Sequence, residues 1–226
     1  MMTVFFTKIS KPFDAELADL FLKNGHKVVA TGLTKPKNPA IIYVACNPEV
    51  PESVDAAMVG IKTRVQHVNY FIDTTDEVLP EDNFSVLDGL NPEVVAKSYR
   101  INFSQPIRIL EAVLPMMEDQ EVKRICFMNS PAGSINWNET TTGYGHNMAK
   151  AALSQSLMIT KNRILPLGYT FRLFDPMQDR GVDPKVAAAG AFVYFTRDRY
   201  LDSQNPGRAD ENNIVLRNAF GREIPW

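Results

Sequence analysis

Apolar residues along this chain switch repeatedly between short unbroken runs and stripes recurring every three or four positions. The first run covers residues 3–7, with Val4, Phe5 and Phe6 at its centre. Phe13, Leu17, Leu20 and Phe21 then fall on one face of a helix, which Asn24-Gly25 ends as a C-cap signal. Residues 27–30 and 40–45 read as strands two and three, and the TGLTKPKNP between them has two prolines and no room for a helix. A helix over 52–66 and a strand over 69–75 follow. A long helix opens near Asn91-Pro92, with proline suited to its first turn, and runs to about Met117, kinked by Pro106. A fifth strand covers 123–130, a helix 145–159, a sixth strand 169–174, then a helix in DPKVAAAGAFVYF and a strand over 213–218. Unbroken apolar strands alternating with helices predict a doubly wound parallel α/β sheet of about seven strands. No repeat, low-complexity tract or linker divides residues 1–226, so one domain is expected.

Composition narrows the possibilities by exclusion. Hydrophobic residues make up 45% and charged residues 22%, the balance of an ordinary globular chain with ample core. A formal charge of −2 gives no reason to expect nucleic acid or an anionic membrane as partner. No apolar run reaches the roughly 18–20 residues of a membrane span, and the N-terminus lacks a basic region followed by a signal core. A cytoplasmic location follows as an expectation. Cys46 and Cys126 both lie in or beside apolar strands and read as buried free thiols. With only His26, His67 and His146, and no paired spacing, no metal site is expected.

Three stretches carry chemistry. YRINFSQPIRILEAVLPMM holds Asn102, FMNSPAGSI holds Ser130, and the run from Ala149 through KAALSQSL opens with Lys150. Together with the element order they resemble the short-chain dehydrogenase/reductase superfamily over nearly the whole chain, which implies a Rossmann-like fold. That family carries T-G-x-x-x-G-x-G after strand one, N-A-G after strand four, an Asn in the following helix, then Ser, and Y-x-x-x-K. The resemblance places Asn102, Ser130 and Lys150 at the family's catalytic Asn, Ser and Lys. It implies a serine that holds the substrate oxygen, a tyrosine that moves its proton, a lysine that tunes the tyrosine, and an asparagine that orders a water relay. It also implies that the helices carrying Asn102 and Lys150 pair with a partner subunit. The tail NAFGREIPW resembles the family's last strand and end.

The departures fall where ligands would lie. Lys8, Pro12 and Asp14 occupy the fingerprint glycine positions, where side chains fill the space a diphosphate needs and proline removes an N–H donor. Asp14 suits the helix dipole and also occupies the spot an anion wants. Lys8 and Lys11 could instead meet a phosphate by charge. Thr31 and Gly32 end strand two without a charge for a ribose, and Asn47-Pro48 follow strand three, so the adenosine end is expected to lose its walls. DTTD, residues 73–76, replaces N-A-G. Four positions before Lys150 stands His146 instead of tyrosine, with Tyr144 six positions before it and pointing elsewhere on a helix. His146 is the candidate acid/base, or else a first-turn helix residue moving no proton. Ser130 and Asn102 have structural readings too: a turn at a strand end, and satisfaction of backbone groups where Pro106 disturbs the helix. Only DPMQDRGVD separates strand six from the next helix, too little for the substrate lid the resemblance implies.

The expectation is a degenerate, non-catalytic chain that binds no cofactor and associates with itself or with an active dehydrogenase paralogue. Two alternatives stay open. One is an atypical NAD- or NADP-dependent oxidoreductase of carbonyl or alcohol substrates using Ser130, His146, Lys150 and Asn102. The other is a non-redox enzyme in the same pocket, with His146 as base and Ser130 as oxyanion donor.

Overall fold

A computed structural model describes residues 1–197 and 209–225. Its strands are β1 (Thr3–Phe6), β2 (Lys27–Ala30), β3 (Ile42–Tyr43), β4 (Tyr70–Asp73), β5 (Lys123–Met128), β6 (Tyr169–Asp175), β7 (Leu216–Asn218) and β8 (Glu223–Ile224). They form one sheet in the order β3-β2-β1-β4-β5-β6-β7-β8. All neighbouring pairs from β3 to β7 are parallel, and β8 returns antiparallel to β7. The chain order reverses between β1 and β4, which opens a crevice at the carboxyl ends of those strands.

The helices are α1 (Pro12–Lys23), α2 (Pro51–Lys62), α3 (Pro92–Tyr99), α4 (Gln105–Val113), α5 (Tyr144–Ile164) and α6 (Pro184–Thr196). Side chains alternate across the strands and feed two cores. Val4, Phe6, Val28, Tyr70, Ile72 and Phe174 meet α1 and α6 on one face. On the other, Phe5, Val29, Phe71, Ile125, Phe127 and Leu173 meet α2, α4 and α5. Cys46 and Cys126 are buried free thiols, and burial pushes the Cys126 thiol up to about 12.

Most elements lie where the apolar pattern puts them, and no helix forms between β2 and β3. Strand three is shorter than 40–45, and α5 runs further than 145–159 in both directions. Among the described residues the sheet has eight strands where about seven were expected. The addition, β8, is only two residues long and is set by a turn in which the Asn218 side chain accepts from Phe220 N and Arg222 N. Of the tail read as NAFGREIPW, Trp226 lies outside the described residues.

Pro106 does not simply kink one long helix. Residues Arg100–Ser104 between α3 and α4 form a π-helical turn, in which Gln105 N reaches back to Arg100 O. A proline at 106 offers no N–H to the carbonyl four residues earlier, and the chain meets this by widening the preceding turn. That widened turn carries Asn102.

Candidate functional site

After β1 the chain turns through Thr7, Lys8, Ile9, Ser10 and Lys11 into α1, with Pro12 in the helix's first position. Asp14 is 1% exposed and accepts hydrogen bonds from Ser10 N at 2.9 Å and Lys11 N at 2.9 Å. Burial pushes its carboxyl above the ordinary value, against the opposing pull of those two bonds and of Lys8 and Lys11. Two backbone N–H groups of the turn that leads into α1 are thus held by the chain's own carboxylate. Lys8 pairs with Glu77 at 2.5 Å, and Lys11 stands 3.4 Å from the same Glu77.

One expectation needs correction here. The adenosine side of the crevice has kept its walls: a cavity of about 400 Å3 remains, bounded by Thr7, Lys8, Gly32, Asn47, Ile101 and Pro106. Loop 31–34 and the π-helical turn close its sides without a helix between β2 and β3. Gly32, at φ +119°, lets the loop pass over Lys8, whose Cβ would lie 3.3 Å from an added Cβ.

The residues placed at the family's catalytic positions divide between two places. His146 and Ser130 line a common cavity of about 470 Å3 together with Asp76, Asp82 and Asp175. Ser130 caps the short turn Pro131–Gly133, its hydroxyl accepting from Ala132 N at 3.1 Å. His146 lies in the first turn of α5, where Asp82 accepts from Gly145 N at 3.0 Å and His146 N at 2.8 Å. The segment after β6 that seemed too short for a lid supplies Pro176, Gln178 and Asp179 to the same cavity. Lys150 and Asn102 stand behind it, both 0% exposed. Tyr144 stacks on Phe84, ring centroids 6.1 Å apart, and does not line this cavity.

Asp76 organises these groups, and the sequence reading did not single it out. Its Oδ1 lies 2.8 Å from His146 Nε2 and 3.2 Å from Lys150 Nζ. Lys150 Nζ also donates to Thr75 O at 2.7 Å and Met128 O at 3.1 Å. An ammonium has three protons, and three protein acceptors surround this one. Asn102 Nδ2 donates to Glu77 O at 2.9 Å and Ser98 O at 3.2 Å, while its Oδ1 accepts from Glu77 N at 2.9 Å. The structural reading of Asn102 accounts for these bonds, though its main client is the loop after β4 and not the helix around Pro106. The available signal was the acid-rich DTTDE at the end of an apolar strand.

Burial alone would raise the Asp76 carboxyl, but Lys150, His146 and Lys11 outweigh it and hold the group well below the usual carboxylate range. A depressed carboxylate contributes stability above its unfolded value and loses that contribution as pH falls toward its folded value. The unfolded value is near 3.8, so the wild type is expected to lose stability from about pH 5 downward. Asp76→Asn should be less stable than wild type at neutral pH by about 1–3 kcal/mol, because Lys150 loses the negative charge that pairs it, at a site that is one-third exposed. Its acid limb should also be shallower. Urea titrations between about pH 3 and 7 give both slopes, and parallel curves would refute the pairing.

No protein-family model matches the chain. In sequence it is 27% identical over 135 residues to C-signal of Myxococcus xanthus, covering 58% of this chain and 78% of that protein. In structure it is similar over the full length of both chains to a carbonyl reductase from Pseudomonas aeruginosa PAO1 in complex with NADP, at 18% identity and TM-score 0.80. The carbonyl reductase Sniffer of D. melanogaster matches equally fully, at 14% identity and TM-score 0.80. A protein described as a short-chain dehydrogenase/reductase from Burkholderia multivorans with bound NADP matches at 17% identity and TM-score 0.77, over 100% of this chain and 99% of that one. Likeness at these identities establishes the fold. Among the described residues, no helix is long and apolar enough to cross a membrane, and no group of three or more His, Cys, Asp or Glu is placed to hold a metal ion.

Proposed function

We propose that this chain, which has the short-chain dehydrogenase/reductase fold, is a non-catalytic member that acts by associating with itself or with an active dehydrogenase paralogue. The observation that carries the reading is the saturation of Lys150, whose ammonium meets Asp76 and two carbonyl oxygens within 3.2 Å. A bound dinucleotide needs donors for its ribose and diphosphate. Here the lysine has none left, and the N–H groups of Ser10 and of the N-cap residue Lys11, in the turn leading into α1, are held by Asp14. The structural neighbours that hold NADP show that the fold accommodates it, but the residues of this chain do not fit it.

Association is supported by the outward side of α5. Met148, Ala152, Gln155 and Ile159 recur at helical spacing along one stripe, with Met148 53% and Ile159 61% exposed. α3, which packs against α5, adds an exposed Tyr99. That the sequence relative is named as a signal and not for a reaction accords with a role outside turnover.

Calorimetric titration with NADH and NADPH is expected to show no saturable binding up to about 1 mM. Micromolar affinity for either would sink the reading. Native mass spectrometry of the chain purified from its host should find it with a second copy or with a paralogue that retains the glycine fingerprint, and a lone monomer would count against association.

A second reading draws on the His146–Asp76 pair, which faces the same cavity as Ser130. There an imidazole oriented by a carboxylate would serve as acid/base in a non-redox reaction. It predicts turnover that His146→Ala abolishes.

A further inference from the structure

The five residues that follow Ile72 are bound on every side. Asp73 Oδ1 accepts from Thr7 Oγ1 at 2.6 Å and from Thr75 Oγ1 at 2.9 Å. Thr74 Oγ1 donates to Lys8 O at 3.1 Å. Thr75 O and the Asp76 carboxylate take Lys150, and His146 takes Asp76 as well. Lys11 Nζ donates to Asp76 O, and the Glu77 carboxylate takes Lys8 and stands within reach of Lys11. Asn102 grips Glu77 at both its backbone N and O. The segment thereby joins the β1–α1 turn to the π-helical turn and the first two turns of α5, regions far apart in sequence, of which the last two also pack directly on each other.

The lysines facing this crossing from those elements, Lys8 and Lys11 from the turn and Lys150 from α5, each meet one of its carboxylates, and His146 Nε2 lies 2.8 Å from Asp76 Oδ1. Asp82 belongs to a neighbouring loop and caps α5 without touching a cation. The groups that an anionic ligand would use to tie these elements together are tied instead by residues 73–77.

We infer that residues 73–77 are an internal ligand, a strap that fixes the first turns of α5 and the π-helical turn in place with no small molecule bound. The inference rests on the non-catalytic reading and deepens it. The helices presented to a partner are set by the chain itself, so association needs no dinucleotide. The strap also screens Lys8 and Lys11 from outside anions.

The test is hydrogen–deuterium exchange on the full chain, comparing wild type with the double variant Asp76→Asn/Glu77→Gln and with Glu77→Gln alone in case the double variant folds poorly. Glu81→Gln is the control, since Glu81 and Lys97 form only an exposed pair at 3.9 Å. Amides in residues 144–150 should exchange at least about tenfold faster in the double variant, and those in residues 8–11 should exchange faster in both variants, with β5 and β6 unchanged. Sodium pyrophosphate should raise the melting temperature of the Glu77→Gln variants and leave wild type where it is. Equal protection in wild type and strap variants, or equal stabilisation of both by pyrophosphate, would overturn the strap. Micromolar NADPH binding by wild type would instead overturn the non-catalytic reading, so the two failures are distinguishable.

Discussion

Lys150→Met is expected to cost about 2–4 kcal/mol of folding stability, from two carbonyls left without a donor and from the lost pairing with a carboxylate that is one-third exposed. Lys150 is 0% exposed, and its loss leaves Asp76 without its cation and the carbonyls of Thr75 and Met128 without a donor. Methionine matches the stem in length, so packing is nearly conserved and the loss reports on charge and hydrogen bonding. Urea denaturation should show the midpoint falling with little change in slope. Adding Asp76→Leu should recover part of the loss, because a pair replaced on both sides leaves no orphaned charge. A single variant as stable as wild type would mean that Lys150 holds nothing in place. A catalytic lysine kept for turnover predicts the opposite pattern, with lost activity and a modest stability change.

Gly133→Ala is the second large effect. A Cβ at this position would lie 2.8 Å from the Lys150 backbone carbon, 2.9 Å from Lys150 Cβ and 3.0 Å from Ala151 N. The backbone of α5 cannot swing aside as a flexible side chain would, so the turn after Ser130 must move away from the helix. The cost should be about 2–3 kcal/mol. For a chain of this length that corresponds to a fall in melting temperature of roughly 5–10 °C. Scanning calorimetry measures it directly, and an unchanged melting temperature would show that the close approach of turn and helix is not needed.

The order of elements was legible because the central strands β1, β2 and β4 are apolar on both faces and the helices between them carry apolar stripes. Phe5 and Phe6 face opposite cores, and the run around them had to be buried on both sides. Strand β8 was obscured because two residues carry no period. The π-helical turn left a trace in Pro106, but proline announces a disturbance and not which form it takes. In the site, the filling of the anion seat by Asp14 could be reasoned from its place three residues into a helix. The role of Asp76 could not. Its side-chain partners on α5 lie 70 or more positions away, and only the parallel sheet brings β4 beside the start of α5. The persistence of a cavity over Gly32 was missed for a similar reason. Loop composition shows which charges are absent, whereas the space left between loop and helix depends on how far apart the sheet holds them.

The double grip of Asp82 on Gly145 N and His146 N has a corollary. Tyr144 stands only two positions upstream, and a slide of α5 by two residues would be needed to bring its phenol to the position of His146. Such a slide would rotate the helix by about 200°, break both bonds and drive Gly145 out of a slot where a Cβ would meet Ser98 Cβ at 2.8 Å. The phase of the helix is locked. A phenol could be placed at the cavity by changing residue 146 itself, and not by recruiting the aromatic ring that already lies one half-turn away.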